Sequence, residues 1–246
     1  MHRYQIIIEY DGTNHSGWQS QKNAKSIQKE IEKILFKILK AKVNIYGSGR
    51  TDAGVHSKNQ SAHFDYKKLI SNKYKFIASM NYFLNKKNIS IKKIIKRNKQ
   101  FHARHSAKER EYEYIILNRD APPILDKNKV WYLRSQLDIK LLKKAAKKLI
   151  GTHNFNAFRS ANCQAKSPIR TLKKLKVTKK KDKIFFTLRS RSFLRNQVRS
   201  IVGCLKCVGE KKWTIKDLEK VLKSKNRNSC APPAPAQGLY LSKIIY

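Results

Sequence analysis

Residues 47–56 of this chain have the sequence GSGRTDAGVH, which combines glycines with an aspartate. Three glycines within its first eight residues are typical of a tight loop. Asp52 lies in this loop, although the chain has only 16 Asp and Glu residues against 56 Lys and Arg. A carboxylate here repels an anionic ligand and is costly to bury, unless a cation such as Arg50 or Arg199 pairs with it. An aspartate that caps a backbone turn is the alternative, and these residues alone leave both interpretations open.

The charge of the whole chain indicates what it binds. Its 246 residues carry a formal net charge of +40, and such a field repels itself unless a polyanion lies against it. Hydrophobic residues make up 40%, which excludes the composition of a disordered chain. The composition therefore predicts a folded protein that binds RNA or DNA. A compositional bias toward lysine is the competing explanation for part of the charge.

Membrane proteins and disulfide-rich proteins fit this sequence poorly. No apolar stretch approaches the ~20 residues of a membrane span, and the strand-like start at 1–10 lacks the apolar region of a signal peptide. The four cysteines are few and unevenly spaced, unlike a disulfide framework. We therefore predict a cytoplasmic protein without a membrane partner. Cys204 and Cys207 form a C-x-x-C within an apolar helical stripe, and we interpret them as core residues rather than as a metal or redox site.

Hydrophobic periodicity along the chain predicts alternating strands and helices. In the first half, Ser26 is expected to cap a helix whose apolar residues recur every three or four positions. The other elements expected there are strands over Tyr4–Tyr10, Val43–Tyr46, Gln60–Tyr66 and Ile89–Ile95 and a helix over Asn72–Leu84. The second half is expected to contain strands over Tyr112–Leu117 and Leu239–Ile245, a hairpin of Leu172–Val177 with Ile184–Leu188, and helices over Asp138–Ile150, Phe193–Val208 and Trp213–Leu222. This order predicts an α+β fold of two similar halves, residues 1–104 and 105–246, around mixed or antiparallel sheets.

Six motifs in chain order give the sequence a resemblance to one family. They are YDGT with GWQ (10–13 and 17–19), GRTDAGVH (49–56), FHAR (101–104), Tyr-x-Tyr-x-Ile (112–116), FL with VRSIVG (193–194 and 198–203) and GLYL (238–241). Over nearly the whole chain, the sequence resembles the tRNA pseudouridine synthase A family. The sequence departs from the family at Asn85, which stands where the family's Asn-x-x-Leu-Pro turn has proline. This change is expected to affect the rigidity of the loop and not catalysis.

The resemblance implies catalytic roles for three residues. It makes Asp52 the nucleophile or base, Arg50 a residue that helps to flip and hold the target nucleotide, and Arg199 the cation that keeps Asp52 ionised. From spacing alone, Arg191, Arg195 and Arg199 recur every four positions and could instead form a phosphate-binding helix face. We favour the active site for Arg199 and a phosphate contact for Arg195.

Substrate contacts are implied for two further residues. Tyr112 is expected to stack on the target uracil, a contact worth ~1–3 kcal/mol in base-stacking sites. His56 ends the loop and is expected to contact RNA, although a satisfied structural role is equally compatible with its position, as it is for His63. Trp18, close to a turn with two glycines, either packs under the loop or lines the substrate cleft.

The resemblance also implies a fold, a reaction and partners. The fold would be the pseudouridine synthase fold, in which two ferredoxin-like halves with mixed or antiparallel sheets form a central basic RNA-binding cleft. The reaction would isomerise uridine to pseudouridine at positions 38, 39 and 40 of the tRNA anticodon arm. It would need no cofactor and no metal, and the enzyme would act as a homodimer.

Other function classes lack their sequence features. A noncatalytic RNA-binding protein has no need of the Asp52 carboxylate. A base deaminase needs His-x-Glu and Pro-Cys-x-x-Cys, and both are absent, as is the glycine pattern of a phosphate-binding P-loop. A Rossmann methyltransferase would be supported only by the pair Gly47-x-Gly49.

Overall fold

The computed structural model of this chain describes residues 1–21 and 23–246, which divide into two compact units. The first unit comprises Met1–Lys108 and Tyr240–Tyr246, and the second comprises Glu109–Leu239. The strands are β1 (His2–Tyr10), β2 (Tyr46–Gly47), β3 (His56–Tyr66), β4 (Ile89–Arg97), β5 (Glu109–Asn118), β6 (Trp131–Leu133), β7 (Gly151–Asn154), β8 (Ile169–Lys180), β9 (Lys183–Ser190) and β10 (Leu239–Ile245). The α-helices are α1 (Ile27–Leu39), α2 (Lys73–Leu84), α3 (Ile139–Lys147), α4 (Gln197–Gly209) and α5 (Ile215–Ser224). Both units combine strands with helices, so the predicted α+β class is confirmed.

The first unit is built on a mixed sheet. Its strand order is β4-β1-β3-β10, and β2 also pairs with β3. β1 runs antiparallel to β3 and β4, whereas β10 runs parallel to β3, with Tyr240 opposite His56. Tyr10, the last residue of β1, pairs with Ser57. The loop that ends at His56 therefore enters the sheet between the end of β1 and the start of β10.

Helix α1 covers this sheet because its apolar residues share one face. Ile27, Ile31 and Leu35 are fully buried and recur at the spacing that aligns side chains along a helix. They belong to the same hydrophobic core as the alternating apolar residues of β1. Ser26 caps the helix as predicted, with its Oγ accepting a hydrogen bond from the Lys29 backbone N–H at 3.3 Å.

The second unit is built on a sheet with the order β5-β9-β8-β7, in which β6 pairs with β5. β9 is antiparallel to both of its neighbours, and β6 is parallel to β5. β8 and β9 form the predicted hairpin, whose turn holds Lys181 at a φ of 51°. α3 packs against β8 and α4. α4 is buried along most of its length, including Ile201, Val202, Cys204 and Leu205.

The start of α4 differs from the prediction. The helix begins at Gln197 because Asn196 before it adopts a left-handed conformation with a φ of 64°. Arg191 and Arg195 precede the helix and do not share a helical face with Arg199. The alternative of a three-arginine face of a helix is therefore wrong.

Boundaries elsewhere also differ where backbone pairing, rather than side-chain periodicity, sets the element. β3 begins at His56 rather than at Gln60, since its polar first residues pair with β1 and β10. β2 is limited to Tyr46–Gly47, and α3 ends at Lys147 rather than Ile150. Such differences are expected at element ends, where apolar patterning is weakest.

His63 of β3 is buried and makes its contacts with protein groups. Its Nδ1 accepts a hydrogen bond from the Ala103 backbone N–H at 3.1 Å. The His63 ring lies 5.1 Å from the Tyr46 ring and 4.6 Å from the His102 ring. Burial lowers the pKa of His63 to about 4, and the neighbouring His102 contributes in the same direction. The structural interpretation of this histidine therefore agrees with its surroundings.

We expect the protein to lose stability as the pH falls from about 6.5 to about 4. In this range His63 stays neutral in the folded chain but takes up a proton in the unfolded chain, where its pKa is near 6.5. The unfolded state then binds more protons, which lowers the free energy of unfolding by about 2 kcal/mol. Urea unfolding at pH 7 and pH 4.5 measures this change. His15 and His102, whose pKa values burial also lowers, contribute to the same loss, so His63→Gln should show a smaller pH dependence than the wild type rather than none. His153→Gln should keep the wild-type pH dependence, and equal pH dependence in the two variants would contradict the role given to His63.

Candidate active site

The loop between β2 and β3 is fixed by hydrogen bonds to the end of β1 and to the segment that follows it. The Trp18 backbone N–H donates to the Thr51 carbonyl at 3.1 Å, and the Tyr10 and Thr51 hydroxyls lie 2.8 Å apart. Within the loop, the Val55 backbone N–H donates to the Asp52 carbonyl at 3.2 Å and closes a turn. The residues around Asp52 are thus held from outside the loop and from within it.

Gly12 and Gly17 allow the segment that follows β1 to lie in close contact with the loop around Asp52. A Cβ atom on Gly12 would lie 2.1 Å from the Val55 carbonyl oxygen. Gly17 has a φ of +99°, and its Cβ would lie 2.5 Å from the Thr51 carbonyl oxygen. No other residue type fits either position without moving the loop. The glycines of the first motif are therefore part of the active-site loop's support.

Trp18 packs under the loop, which decides between the two positions considered for it. Its side chain is buried, and its ring lies 6.2 Å from the Tyr10 ring. A Cβ atom on Gly47, at the start of the loop, would lie 2.5 Å from the indole. Trp18 thus forms the floor beneath the loop.

The other side of the loop is held by Gln60 of β3. The Gln60 Nε2 donates to the Gly49 carbonyl at 2.8 Å, and the Ser48 hydroxyl donates to the Gln60 Oε1 at 2.7 Å. Arg50 is exposed and Asp52 is half-buried between these supports. The loop therefore offers an anionic ligand the accessible guanidinium of Arg50, close in sequence to the carboxylate of Asp52 on a backbone that hydrogen bonds hold in place.

His56 is buried at the end of the loop, with 2% of its surface exposed. The Gly12 backbone N–H donates to His56 Nδ1 at 3.1 Å, and the same nitrogen lies 3.0 Å from an Asp11 carboxylate oxygen. The imidazole stacks on Tyr240 with ring centroids 4.8 Å apart. In this position the ring connects the segment that follows β1 with the start of β10.

The second unit contains Tyr112, the residue expected to stack on uracil. Tyr112 lies on β5, is half-buried, and meets the ring of Phe193 edge to face at 5.2 Å and 88°. Tyr114, two residues further, lies on the same face of the strand and is buried. Its hydroxyl donates to the Pro235 carbonyl at 2.8 Å, and burial raises the pKa of this phenol.

Arg199 is fixed by the proline-rich segment that precedes β10. Its Nε donates to the Ala234 carbonyl at 2.6 Å, and its Nη1 donates to the Asn196 side-chain oxygen at 3.3 Å. The Ala234 N–H donates in return to the Arg199 carbonyl at 3.0 Å. The positive charge of the guanidinium favours the ionised form of the Tyr114 hydroxyl, and so partly offsets the rise in pKa that burial causes. Arg199 therefore lies in the same part of the second unit as Tyr114, while Arg195 is exposed before the helix.

The predicted site residues divide between the two units. Asp52, Arg50 and His56 belong to the first, and Tyr112, Arg199 and Arg195 to the second. Gln60 and the Ala234 carbonyl hold catalytic candidates in place but carry no signal in the sequence, because an amide in a strand and a backbone oxygen have no distinctive pattern. Within the described residues, no group of three or more His, Cys, Asp or Glu is arranged to hold a metal. None of the helices described is long and apolar enough to cross a membrane.

Comparison with known proteins gives one consistent family. The family described as tRNA pseudouridine synthase matches residues 6–106 and 145–246. A protein named tRNA pseudouridine synthase A from Pelagibacter ubique is 55% identical over the full length of both chains. Proteins of the same name from Bartonella henselae and Maricaulis maris are 43% and 42% identical, over all of this chain and over 100% and 98% of theirs.

Proposed function

Since this chain belongs to the tRNA pseudouridine synthase family, we propose that it isomerises uridine to pseudouridine at positions 38, 39 and 40 of the tRNA anticodon arm, with Asp52 as nucleophile or base. The observation that carries this proposal is the clamped loop, which presents exposed Arg50 beside half-buried Asp52. A binding module gains nothing from holding a carboxylate rigidly in a chain of net charge +40.

The reaction breaks the bond between N1 of uracil and C1′ of ribose, rotates the base and joins C5 to C1′. It involves no net oxidation or reduction, so no redox cofactor enters its balance. Asp52 has three available roles, which are attack on C1′, addition to C6 of the base, and removal of a sugar proton. Each requires the uridine to leave its stack, and Tyr112, held edge-on by Phe193, offers a face for the displaced base. Arg50 is suited to hold the nucleotide, and Arg199 to stabilise the Asp52 carboxylate.

A modification assay tests the proposal. Purified protein is incubated in EDTA, without nucleotide cofactors, with unmodified tRNA that carries uridines at positions 38 to 40. Pseudouridine at these positions is the expected product. Tight tRNA binding without product from any tRNA tried would favour a noncatalytic RNA-binding protein and would overturn the enzymatic proposal.

The assembly and location that we propose are a homodimer in the cytoplasm. Two chains of charge +40 repel each other, and salt or bound tRNA is expected to relieve that repulsion. Sedimentation at moderate salt should therefore detect a dimer. Monomers alone, both with and without tRNA, would exclude it.

Arg199→Ala is expected to reduce turnover far more than tRNA binding. Ala234 and Asn196 hold the Arg199 side chain in one orientation, which suits a fixed interaction with the Asp52 carboxylate. Arg195 is exposed, which suits a contact with phosphate. We expect kcat to fall about 100-fold in Arg199→Ala with little change in Kd. Arg195→Ala should instead weaken binding and reduce its salt dependence. Single-turnover rates and filter binding measure both, and equal losses of kcat and affinity in Arg199→Ala would make it a phosphate contact.

A further inference from the structure

Two thiols that have been given no catalytic role meet inside the second unit. Cys204 lies on α4 and is fully buried, and half-buried Cys230 directly follows the short helical turn Arg227–Ser229. Their sulfur atoms are 3.3 Å apart, within hydrogen-bonding distance, and both are free cysteines. A disulfide has an S–S distance of about 2.05 Å, so a small side-chain movement would join them.

The surroundings make the two thiols chemically unequal. The hydrogen bond from Cys204 and the charge of Arg227 lower the pKa of Cys230, although burial opposes them. The same contact, together with burial, raises the pKa of Cys204. Cys230, which solvent can reach, is therefore suited to act as the nucleophilic thiolate, and Cys204 as the thiol that resolves the product.

Cys230 also begins the segment that holds Arg199. Residues 230–235 lie along α4 so closely that a Cβ atom on Gly203 would be 2.2 Å from the Pro232 carbonyl oxygen. Four residues beyond Cys230, the Ala234 carbonyl accepts the hydrogen bond from Arg199 Nε. The thiol pair thus lies at one end of a short, tightly packed connection to a catalytic candidate.

We propose that Cys204 and Cys230 form a reversible oxidation site that a hydroperoxide converts to a disulfide. The Cys230 thiolate attacks the peroxide oxygen, the O–O bond breaks, and Cys230 becomes a sulfenic acid as water or an alcohol leaves. The Cys204 thiol then attacks the Cys230 sulfur, the S–S bond forms, and the sulfenic oxygen leaves as water. Two thiols lose two electrons to the peroxide, and a dithiol reductant reverses the change.

A consequence for turnover follows, and this part rests on the proposed function. Bond formation draws Cys230 toward α4 by about 1 Å. A displacement of this size, passed along 230–235 to Ala234, alters the support of Arg199, and misplacement of a positioned group by about 1 Å can reduce a rate 100-fold. We expect the oxidised protein to turn over about 10-fold more slowly than the reduced protein.

Peptide mapping of the full-length protein tests the site without an activity assay. The protein is treated with hydrogen peroxide, its remaining thiols are alkylated, and it is digested without reductant. We expect a Cys204–Cys230 linked pair in the wild type and in Cys207→Ser, its loss after dithiothreitol, and no linked pair in Cys230→Ser. If both Cys204 and Cys230 were recovered as alkylated thiols from wild-type protein treated under conditions that oxidise Cys163, the proposal would be overturned.

Turnover of the same samples tests the connection to Arg199. Oxidation should slow the wild type and Cys207→Ser, dithiothreitol should restore both, and Cys230→Ser should be insensitive. A mapped disulfide with unchanged turnover would overturn the connection to Arg199 while supporting the oxidation site. If the reduced protein made no pseudouridine at all, the proposed function would fail, whereas the mapping result would stand.

Discussion

Asp52→Asn should form no detectable pseudouridine, with kcat at least about 10⁴-fold below that of the wild type. Asparagine preserves the shape of the side chain and the clamped backbone, but it lacks the negative charge that nucleophilic attack or proton removal requires. The affinity for tRNA should stay within about threefold or improve, because a charge that repels phosphate is removed. The measurements are single-turnover formation of pseudouridine and filter binding on the same protein preparation.

Asp120→Asn is the matched control for this experiment. The Asp120 side chain is 85% exposed and pairs with Arg134 in the second unit, so its replacement removes one negative charge at a distance from the loop along the chain. We expect wild-type kcat in this variant. If Asp52→Asn kept more than about one per cent of wild-type turnover, or if it lost tRNA binding in parallel, Asp52 would not be the reacting group.

Gly17→Ala is the second change with a large expected effect, although residue 17 carries no reactive group. Its φ of +99° strains any residue with a Cβ, and the added carbon would lie 2.5 Å from the Thr51 carbonyl oxygen and 3.1 Å from the Asp52 carbonyl carbon. The loop must therefore move away from its support. We expect kcat to fall about 100-fold, since displacement of a catalytic group by about 1 Å has an effect of this size. Affinity for tRNA should change much less.

Gly151→Ala separates loop displacement from general strain. Gly151 also has a positive φ, +115°, but its Cβ would meet only the His153 side chain, at 3.4 Å. Both variants should lose stability by about 1–2 kcal/mol from the backbone conformation alone. Only Gly17→Ala should lose turnover when both are assayed below their melting transitions. Equal turnover in the two variants would mean that the loop tolerates the displacement.

The sequence predicted the features that depend on residue type more accurately than those that depend on distant pairing. The loop around Asp52, the Ser26 cap and the β8–β9 hairpin were predictable because glycines, capping residues and alternating side chains act locally. The start of α4 was not, because the apolar residues before Asn196 continue the helical pattern while the backbone does not.

Contacts between residues far apart in the sequence could not be predicted either, because they depend on how distant segments pack and not on a local pattern. Nothing in the local pattern indicates that Cys230 meets Cys204, or that Ala234 offers its carbonyl to Arg199. The His56 ring is another example, since its burial depends on packing against β10 at the other end of the chain. The roles given to Asp52, Tyr112 and Arg199 stay predictions until the variants are measured.

The return of the last strand to the first unit affects how the protein is made. Tyr246 is synthesised about 140 residues after Lys108, an interval of roughly 7–28 s at translation rates of about 5–20 residues per second. During that time β3 lacks its parallel neighbour β10, and the Tyr246 hydroxyl has not yet bonded to Ser61 and Ala103. The nascent first unit thus carries an open strand edge until β10 has been synthesised, and this edge is where premature termination or crowding on polysomes would promote aggregation.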